Sequence, residues 1–346
     1  MSRVGLVLAV ALLAGVMSGP VVPAGAGPAP GPLLIGSNPP GTLFYSVASG
    51  VAKLVADHAG MQAVVQPYAG SSTFLPLLNT GEITFGVVNA VDMAMAYRGP
   101  ERLKIGGRNP FQLTPNVRLV WRGGPLYLVE WVRRDSPFRT IADLRGRRVT
   151  GVYSAHLAVW FNQFGLLASC GLTWDDVRVV PVSTVTEGID ALQEGRADAA
   201  PFALGAAKLH EVNAAIGIRG LSICADDEGK RRLQQAVPGY YPVLLKAGQS
   251  VGIVNETWAV AYDIYLATHR DAPNDMIQRV TRVLWEHNRK LWPLHAAFEE
   301  WTTRRAADPG VTIPYHPGAI ALFKEKGAWP ARMDEVQTHL LREAGR

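Results

Sequence analysis

Small polar residues cluster at four points of the chain, each at the predicted start of a helix. The four clusters lie at residues 37–45, 70–73, 153–156 and 183–184. The first turn of a helix has backbone N–H groups without intrahelical partners, so such turns can bind an anion or a carbonyl group. Asn89, directly after a predicted buried strand, adds an amide that both donates and accepts hydrogen bonds. These residue types predict non-covalent binding of a small polar molecule.

The predicted ligand contacts come from these clusters and from predicted strand ends. They are Ser37, Thr42, Phe44, Tyr45, Ser71, Ser72, Asn89, Tyr153, Ser154, His156 and Phe202. Each has an alternative role, because Ser and Thr at helix starts commonly act as caps and the aromatic residues are equally suited to a core or a hinge. The prediction therefore depends on all four clusters meeting at the carboxyl edge of a sheet, where open α/β sheets bind ligands.

Motifs of catalysis and of cofactor or metal binding are absent from the sequence. His210-Glu211 lacks the second histidine of HExxH, and no GxSxG, Walker or GxGxxG motif occurs. We therefore predict a binding protein that is not an enzyme and needs no cofactor or metal. The alternatives are an exported enzyme on the same scaffold, with His156 and Tyr153 as its candidates, and a receptor that presents its ligand to a sensor protein.

A repeated pattern indicates how these residues are positioned. Residues 78–86 (LNTGEITFG) are echoed by residues 192–200 (LQEGRADAA), and each copy reads as a helix end, a glycine and a buried strand. The spacing from Gly36 to Gly81 nearly equals that from Gly151 to Gly195. Two copies are too few for a solenoid. They predict an α/β fold with two lobes, each with a parallel-rich sheet and flanking helices, around a ligand-binding cleft.

Composition and terminal patterns narrow the class further. The chain has 346 residues, 48% of them hydrophobic and 18% charged, with a net charge of +5. The basic residues are scattered, which excludes a nucleic-acid surface. Arg3, the apolar stretch 4–17 and Ala24-Gly25-Ala26 predict a cleavable signal peptide and a periplasmic location. Cys170 and Cys224 fit a disulfide or two buried thiols equally well.

These patterns divide the chain into five predicted segments. Residues 1–26 are the signal peptide and 27–32 a tether. Lobe 1 takes residues 33–124 and, after the chain returns, the mostly helical residues 225–346, while lobe 2 is inserted as residues 125–224. Two crossings between the lobes predict a hinge, and a hinge-bending receptor is expected to be a monomer.

The order of several short motifs resembles that of the TAXI (TRAP-associated extracytoplasmic immunogenic) solute receptors. The motifs are Gly36-Ser37, Gly41-Thr42, Tyr45, Gly70-Ser71-Ser72, Leu78-x-x-Gly81-Glu82, Gly86-Val87-Val88, Cys170-Gly171-Leu172-Thr173 and His316-Pro317-Gly318-Ala319. The segment 141–149 (IADLRGRRV) is shared more widely among two-lobed binding proteins. The resemblance spans nearly the whole chain after the signal peptide.

This resemblance implies a type II-like periplasmic binding protein fold. It also implies a receptor that closes around a small organic anion, a carboxylate or an amino acid, and delivers it to a TRAP-type membrane transporter. Carried over by position, the lobe 1 contacts would be Ser37, Thr42, Tyr45, Ser71, Ser72 and Asn89. Asn89 stands where the family is expected to have a glutamine, and residues 153–156 replace a loop richer in Gly and Ser.

Overall fold

A computed structural model describes residues 31–343, in which we find ten β-strands and eleven α-helices. The strands are β1 (Leu33–Ser37), β2 (Ala63–Pro67), β3 (Phe85–Asn89), β4 (Val117–Arg133), β5 (Arg148–Val152), β6 (Arg178–Val182), β7 (Ala199–Ala203), β8 (Ile218–Leu221), β9 (Tyr241–Leu245) and β10 (Thr257–His269). The helices are α1 (Leu43–Ala59), α2 (Ser71–Thr80), α3 (Ala90–Arg98), α4 (Leu157–Ser169), α5 (Val185–Gln193), α6 (Ala207–Ile216), α7 (Asp227–Ala236), α8 (Asn274–His287), α9 (Thr303–Ala306), α10 (Pro317–Glu325) and α11 (Ala331–Glu343).

The strands form two parallel groups joined by a pair of long antiparallel strands. Hydrogen bonds connect them in the order β2-β1-β3-β10-β4-β7-β5-β6, with β8 on β4 and β9 on β10. Strands β1, β2 and β3 are mutually parallel, as are β5, β6 and β7, whereas β4 and β10 run antiparallel to their neighbours. We call the half around β1–β3 lobe 1 and the half around β5–β7 lobe 2. This confirms the predicted two-lobed α/β fold, while the residue boundaries of the lobes stay a prediction.

Strand β4 corrects one expectation from the sequence. The glycine pair Gly123-Gly124 predicts a break in the strand, but β4 continues through it as one strand of 17 residues. A Cβ atom on Gly123 would lie 2.4 Å from the Trp301 ring, and one on Gly124 would lie 2.7 Å from Glu300. The two glycines therefore admit a distant segment of the chain at close range instead of ending the strand.

Helix starts and ends follow local chemistry. The Thr42 hydroxyl caps α1 by accepting from the Tyr45 N–H at 3.3 Å, and Asn89 caps α3. Gly60 and Gly81, with φ of +62° and +80°, end α1 and α2 in the left-handed conformation that glycine adopts at no steric cost. Because α1, α2 and α3 directly follow β1, β2 and β3, the polar helix starts meet at the carboxyl edge of the lobe 1 strands.

Cys170 and Cys224 form a disulfide, which decides between the two alternatives left open by the sequence. It joins the end of α4 to the segment after β8 across 54 residues. We predict that the double variant Cys170→Ala/Cys224→Ala loses about 2–5 kcal/mol of unfolding free energy, because the bond restricts the unfolded chain. Denaturant titration measures this. Reduced wild-type protein should match the variant, and an unchanged midpoint in both would contradict the prediction.

The predicted signal peptide, residues 1–26, lies outside the described residues, as does the tether up to residue 30. Across residues 31–343, none of the helices has the length and apolar character that a membrane crossing requires.

Candidate functional site

A buried pocket lies between the two lobes. Lobe 1 contributes the ends of β1 and β3 and the starts of α1, α2 and α3, and lobe 2 contributes α4, α5 and β7. Leu126 and Leu128 of β4 and Tyr262 of β10 line it where the long strands cross between the lobes. The pocket thus occupies the carboxyl edge at which the sequence predicts ligand binding.

The structure brings six of the predicted contact residues to this pocket. They are Thr42, Phe44, Ser71, Asn89, His156 and Phe202. All six are buried, and they come from both lobes. Their contact with a ligand stays a prediction, but their convergence gives the pocket a mixed polar and aromatic lining.

The other five predicted residues do not line the pocket. Ser37 is fully buried beside it, and Tyr45 and Ser72 are half-buried in the first turns of their helices. Tyr153 is buried within lobe 2 with its hydroxyl 2.6 Å from Thr150 Oγ1, and the exposed Ser154 donates to Ser183 at 3.3 Å. The chain turns through left-handed conformations at residues 152 and 153, with φ of +68° and +52°, which aims the Tyr153 ring into the lobe.

Asp92 is the main pocket residue that sequence reasoning missed. Its side chain is buried, Oδ2 accepts from the Ser71 hydroxyl at 2.6 Å, and Oδ1 has no hydrogen-bond partner. Burial raises the pKa of Asp92 to about 7, and the Ser71 hydrogen bond opposes that rise. Acidic residues are common in the first turn of a helix, so Asp92 does not stand out in the sequence. The one available signal was its position three residues after Asn89, which places it in the first turn of the helix that Asn89 caps.

The Asn89 amide is fixed with its NH₂ group unpaired. Oδ1 accepts from the N–H groups of Val91 at 2.6 Å and Asp92 at 3.4 Å, which requires the oxygen to face α3. Nδ2 is buried and makes no hydrogen bond with good geometry. A buried amide N–H₂ without a partner is unusual and costs free energy, so this group is available to a bound molecule.

His156 marks the point where the lobes approach each other. Its ring is buried, Nδ1 has no partner, and burial lowers its pKa to about 4, so it is neutral at pH 7. A Cβ atom on Gly70, at the start of α2, would lie only 2.7 Å from His156 Cδ2. Lobe 1 and lobe 2 are therefore in direct contact beside the pocket.

Two hydrogen bonds also join the lobes. The Lys208 N–H of α6 donates to the Gly41 carbonyl at 3.2 Å. His295 accepts from the Ala297 N–H at Nδ1, so its Nε2 carries the proton and donates to the Gly205 carbonyl at 3.0 Å. The two lobes are thus held together by hydrogen bonds as well as by the contact at His156.

Polar side chains outside the predicted contact set also reach the pocket. Asn38 places a buried Oδ1 without a partner at the end of β1. Asn162 of α4 accepts from the Tyr240 hydroxyl, and the Tyr240 ring stacks on Tyr262 with centroids 5.1 Å apart. Asn38 lies in the predicted cluster 37–45, whereas Asn162 lies inside α4 and Tyr262 on β10, where no local pattern marks them.

Arg122, a possible carboxylate clamp, is engaged elsewhere. It pairs with Asp263 at 2.7 Å and Asp308 at 3.1 Å and does not line the pocket. Among the described residues around the pocket there is no Lys or Arg side chain.

The chain matches the NMT1-like family over residues 35–327. Solved structures with the same fold include one described as a periplasmic transporter, 13% identical over 88% of this chain and 94% of that chain with a TM-score of 0.52. An R. palustris protein with adipate is 16% identical over 89% and 96% of the two chains, with a TM-score of 0.51. The periplasmic aliphatic sulphonate binding protein SsuA of Escherichia coli is 15% identical over 91% and 86%, with a TM-score of 0.44.

Proposed function

Since the chain belongs to the NMT1-like family, we propose that it is an extracytoplasmic receptor that closes around a small solute and delivers it to a membrane transporter. Its periplasmic binding protein fold supports the receptor role. The observation that carries the proposal is the pocket between the lobes, to which both lobes bring buried polar atoms without partners. Buried polar atoms are normally hydrogen-bonded, so a bound molecule is the natural partner for these.

The proposal extends to the receptor type and its place in the cell. The order of the glycine and serine motifs, from Gly36-Ser37 to Gly70-Ser71-Ser72, supports a TAXI-type receptor that serves a TRAP-type transporter. The amino-terminal pattern supports export to the periplasm. The solute class is a small carboxylate or an amino acid, as the resemblance implies.

Capture proceeds by closure of the lobes. The solute first binds the helix starts of lobe 1, where Asn89 and Asp92 are already fixed by hydrogen bonds. Closure then brings His156 and Phe202 over it and forms the interlobe bonds of Lys208 and His295. Because the solute adds contacts only in the closed form, it shifts the population toward closure. The transporter recognises that form.

The enzyme alternative requires His156 and Tyr153 to act together in the pocket. In the structure, only His156 lies there. His156 lines the pocket, but Tyr153 lies inside lobe 2 with its hydroxyl engaged by Thr150. Mutual geometry is the first requirement for an acid–base pair. No observation on this pocket favours turnover over binding.

Thermal unfolding of the mature protein against carboxylates and amino acids tests the receptor proposal. A ligand at about a hundred times its Kd is expected to add about 2.7 kcal/mol to the unfolding free energy, which raises the midpoint visibly. Mass spectrometry of the released ligand is the control, because a receptor returns it unchanged. A chemically altered product would replace the receptor proposal with the enzyme.

A further inference from the structure

The hydroxyl protons of Ser71 and Thr42, two polar side chains of lobe 1 in the pocket, are already used within the protein. Ser71 donates its proton to Asp92 Oδ2 at 2.6 Å, and Thr42 donates its proton to the Pro39 carbonyl at 2.6 Å. Only lone pairs remain on these two oxygens for a ligand. These two hydroxyls therefore face a bound molecule as acceptors.

The unpaired atoms of lobe 1 add to this acceptor character. Asp92 Oδ1 and Asn38 Oδ1 are buried and have no partner. The amide oxygen of Asn38 is always an acceptor, and Asp92 Oδ1 is one when the carboxyl group is ionised. Asn89 Nδ2 is a donor among them. The described lining contains an acid but no Lys or Arg, and Arg122 is held by Asp263 and Asp308.

A second carboxylate in this pocket would meet the first without a side-chain cation between them. Like charges in a buried site disfavour ionisation of both groups, whereas an opposite charge stabilises a buried carboxylate. Removing a carboxylate from water is costly unless it is paired and hydrogen-bonded. A protonated amine supplies both the charge and the N–H donors that Asp92 Oδ1 and Asn38 Oδ1 lack.

On the basis of the proposed receptor function, we propose that the solute presents a protonated amine to Asp92, with Asn38 and Ser71 as accessory acceptors. The receptor thus binds amine-bearing solutes such as amino acids and discriminates against the same carbon skeletons without the amine. Asp92 is the specificity-determining residue, because removal of its charge leaves the ammonium group desolvated and unpaired.

Proton exchange on binding has opposite signs for the two solute classes. The titratable groups around Asp92 are His156, Tyr240 and Tyr262; burial lowers the pKa of His156 to about 4 and raises the pKa of both phenols. None of these three changes charge near pH 7. Asp92, whose pKa burial raises to about 7, is partly protonated there. An ammonium group lowers that pKa and releases protons, whereas a carboxylate raises it and takes protons up.

The test is isothermal titration calorimetry at pH 7 in two buffers of different ionisation enthalpy. The probes are matched pairs with and without the amine: L-glutamate and glutarate, L-leucine and 4-methylpentanoate, and 6-aminohexanoate and hexanoate. We expect an amine-bearing member to bind with proton release and its partner at least tenfold more weakly. The variant Asp92→Asn should weaken amine binding about 100-fold. The control Asp57→Asn, an exposed acid on α1, should change nothing.

The outcomes separate this inference from the receptor proposal. If an amine-free partner binds equally well, or binding takes up protons, the amine assignment fails and the receptor stands. Undiminished binding by Asp92→Asn would also refute the amine assignment and leave the receptor proposal intact. If that variant does not fold, the number of protons released or taken up by the wild-type protein on binding tests the assignment instead. If none of the six probes binds, both the proposed carboxylate and amino-acid receptor and the amine assignment are overturned.

Discussion

Replacing Asp263 by Ala is expected to lower the unfolding free energy by about 3 kcal/mol, the lower end of the effect of removing one partner from a buried charge pair, because this network is partly buried. Asp263 lies on β10, with its side chain 12% exposed. Its Oδ2 accepts from Arg122 at 2.7 Å, and its Oδ1 accepts from Arg305 at 2.7 Å and from the Tyr241 hydroxyl at 3.3 Å. Without Asp263, two guanidinium groups beside the crossing strands lose their shared partner.

Asp308→Ala is the matched control for this prediction. Asp308 also pairs with Arg122, at 3.1 Å, but its side chain is 35% exposed and the contact is correspondingly more screened by solvent. We expect a loss of about 1 kcal/mol or less, measured by the same denaturant titration. Equal small losses in the two variants would show that water reaches the Asp263 network, contrary to the prediction.

Replacing Gly70 by Val is expected to weaken solute binding about 100-fold or more by preventing closure. A Cβ atom at this position would lie 2.7 Å from His156 Cδ2 and 3.1 Å from the His156 Cα atom. Gly70 has φ of −177°, an extended conformation open to any residue, so the clash across the lobes is the sole source of strain. The contact with the His156 Cα atom is not relieved by a rotamer change, and the two further methyl groups of Val add to it, so we expect the lobes to separate.

Titration with the solute found by thermal unfolding measures the loss, and solution scattering should show a larger radius of gyration. The unfolding midpoint without ligand is the control. Opening of the lobes relieves the clash and leaves that midpoint near the wild-type value, whereas a clash within a core would lower it. If Gly70→Val binds the solute with wild-type affinity and has the wild-type radius of gyration, the proposal that the lobes close against each other at Gly70 is refuted.

Much of the fold could be predicted from residues that begin and end helices. Thr42 and Gly60 delimit α1, and Gly81 ends α2, because capping and left-handed glycine are local properties. The same logic brings Ser71, Asn89 and the other helix-start residues to one edge. It works because parallel strands align their carboxyl ends, so residues distant in sequence share a place in space.

The remaining features depend on tertiary contacts that no local pattern contains. Gly123 stays inside a strand because Trp301 packs on it. Tyr153 is turned away from the pocket by an unusual backbone conformation. The pairing of Cys170 with Cys224 depends on the distance between them, and the Tyr262 ring reaches the pocket from a strand near the other end of the chain.

The order of strands in the sheet also determines when each lobe can fold. Strand β3 is bordered by β10, with Phe85 opposite Thr268, so lobe 1 has an open hydrogen-bonding edge until residues 264–268 are available. In lobe 2, β5, β6 and β7 lie close together along the chain and pair with one another, and β7 pairs with β4, which precedes them. Long-range pairings of this kind slow folding because loop-closure entropy must be overcome first. For a chain delivered from its amino terminus, we therefore expect lobe 2 to assemble first, while lobe 1 stays incomplete until β10 is available.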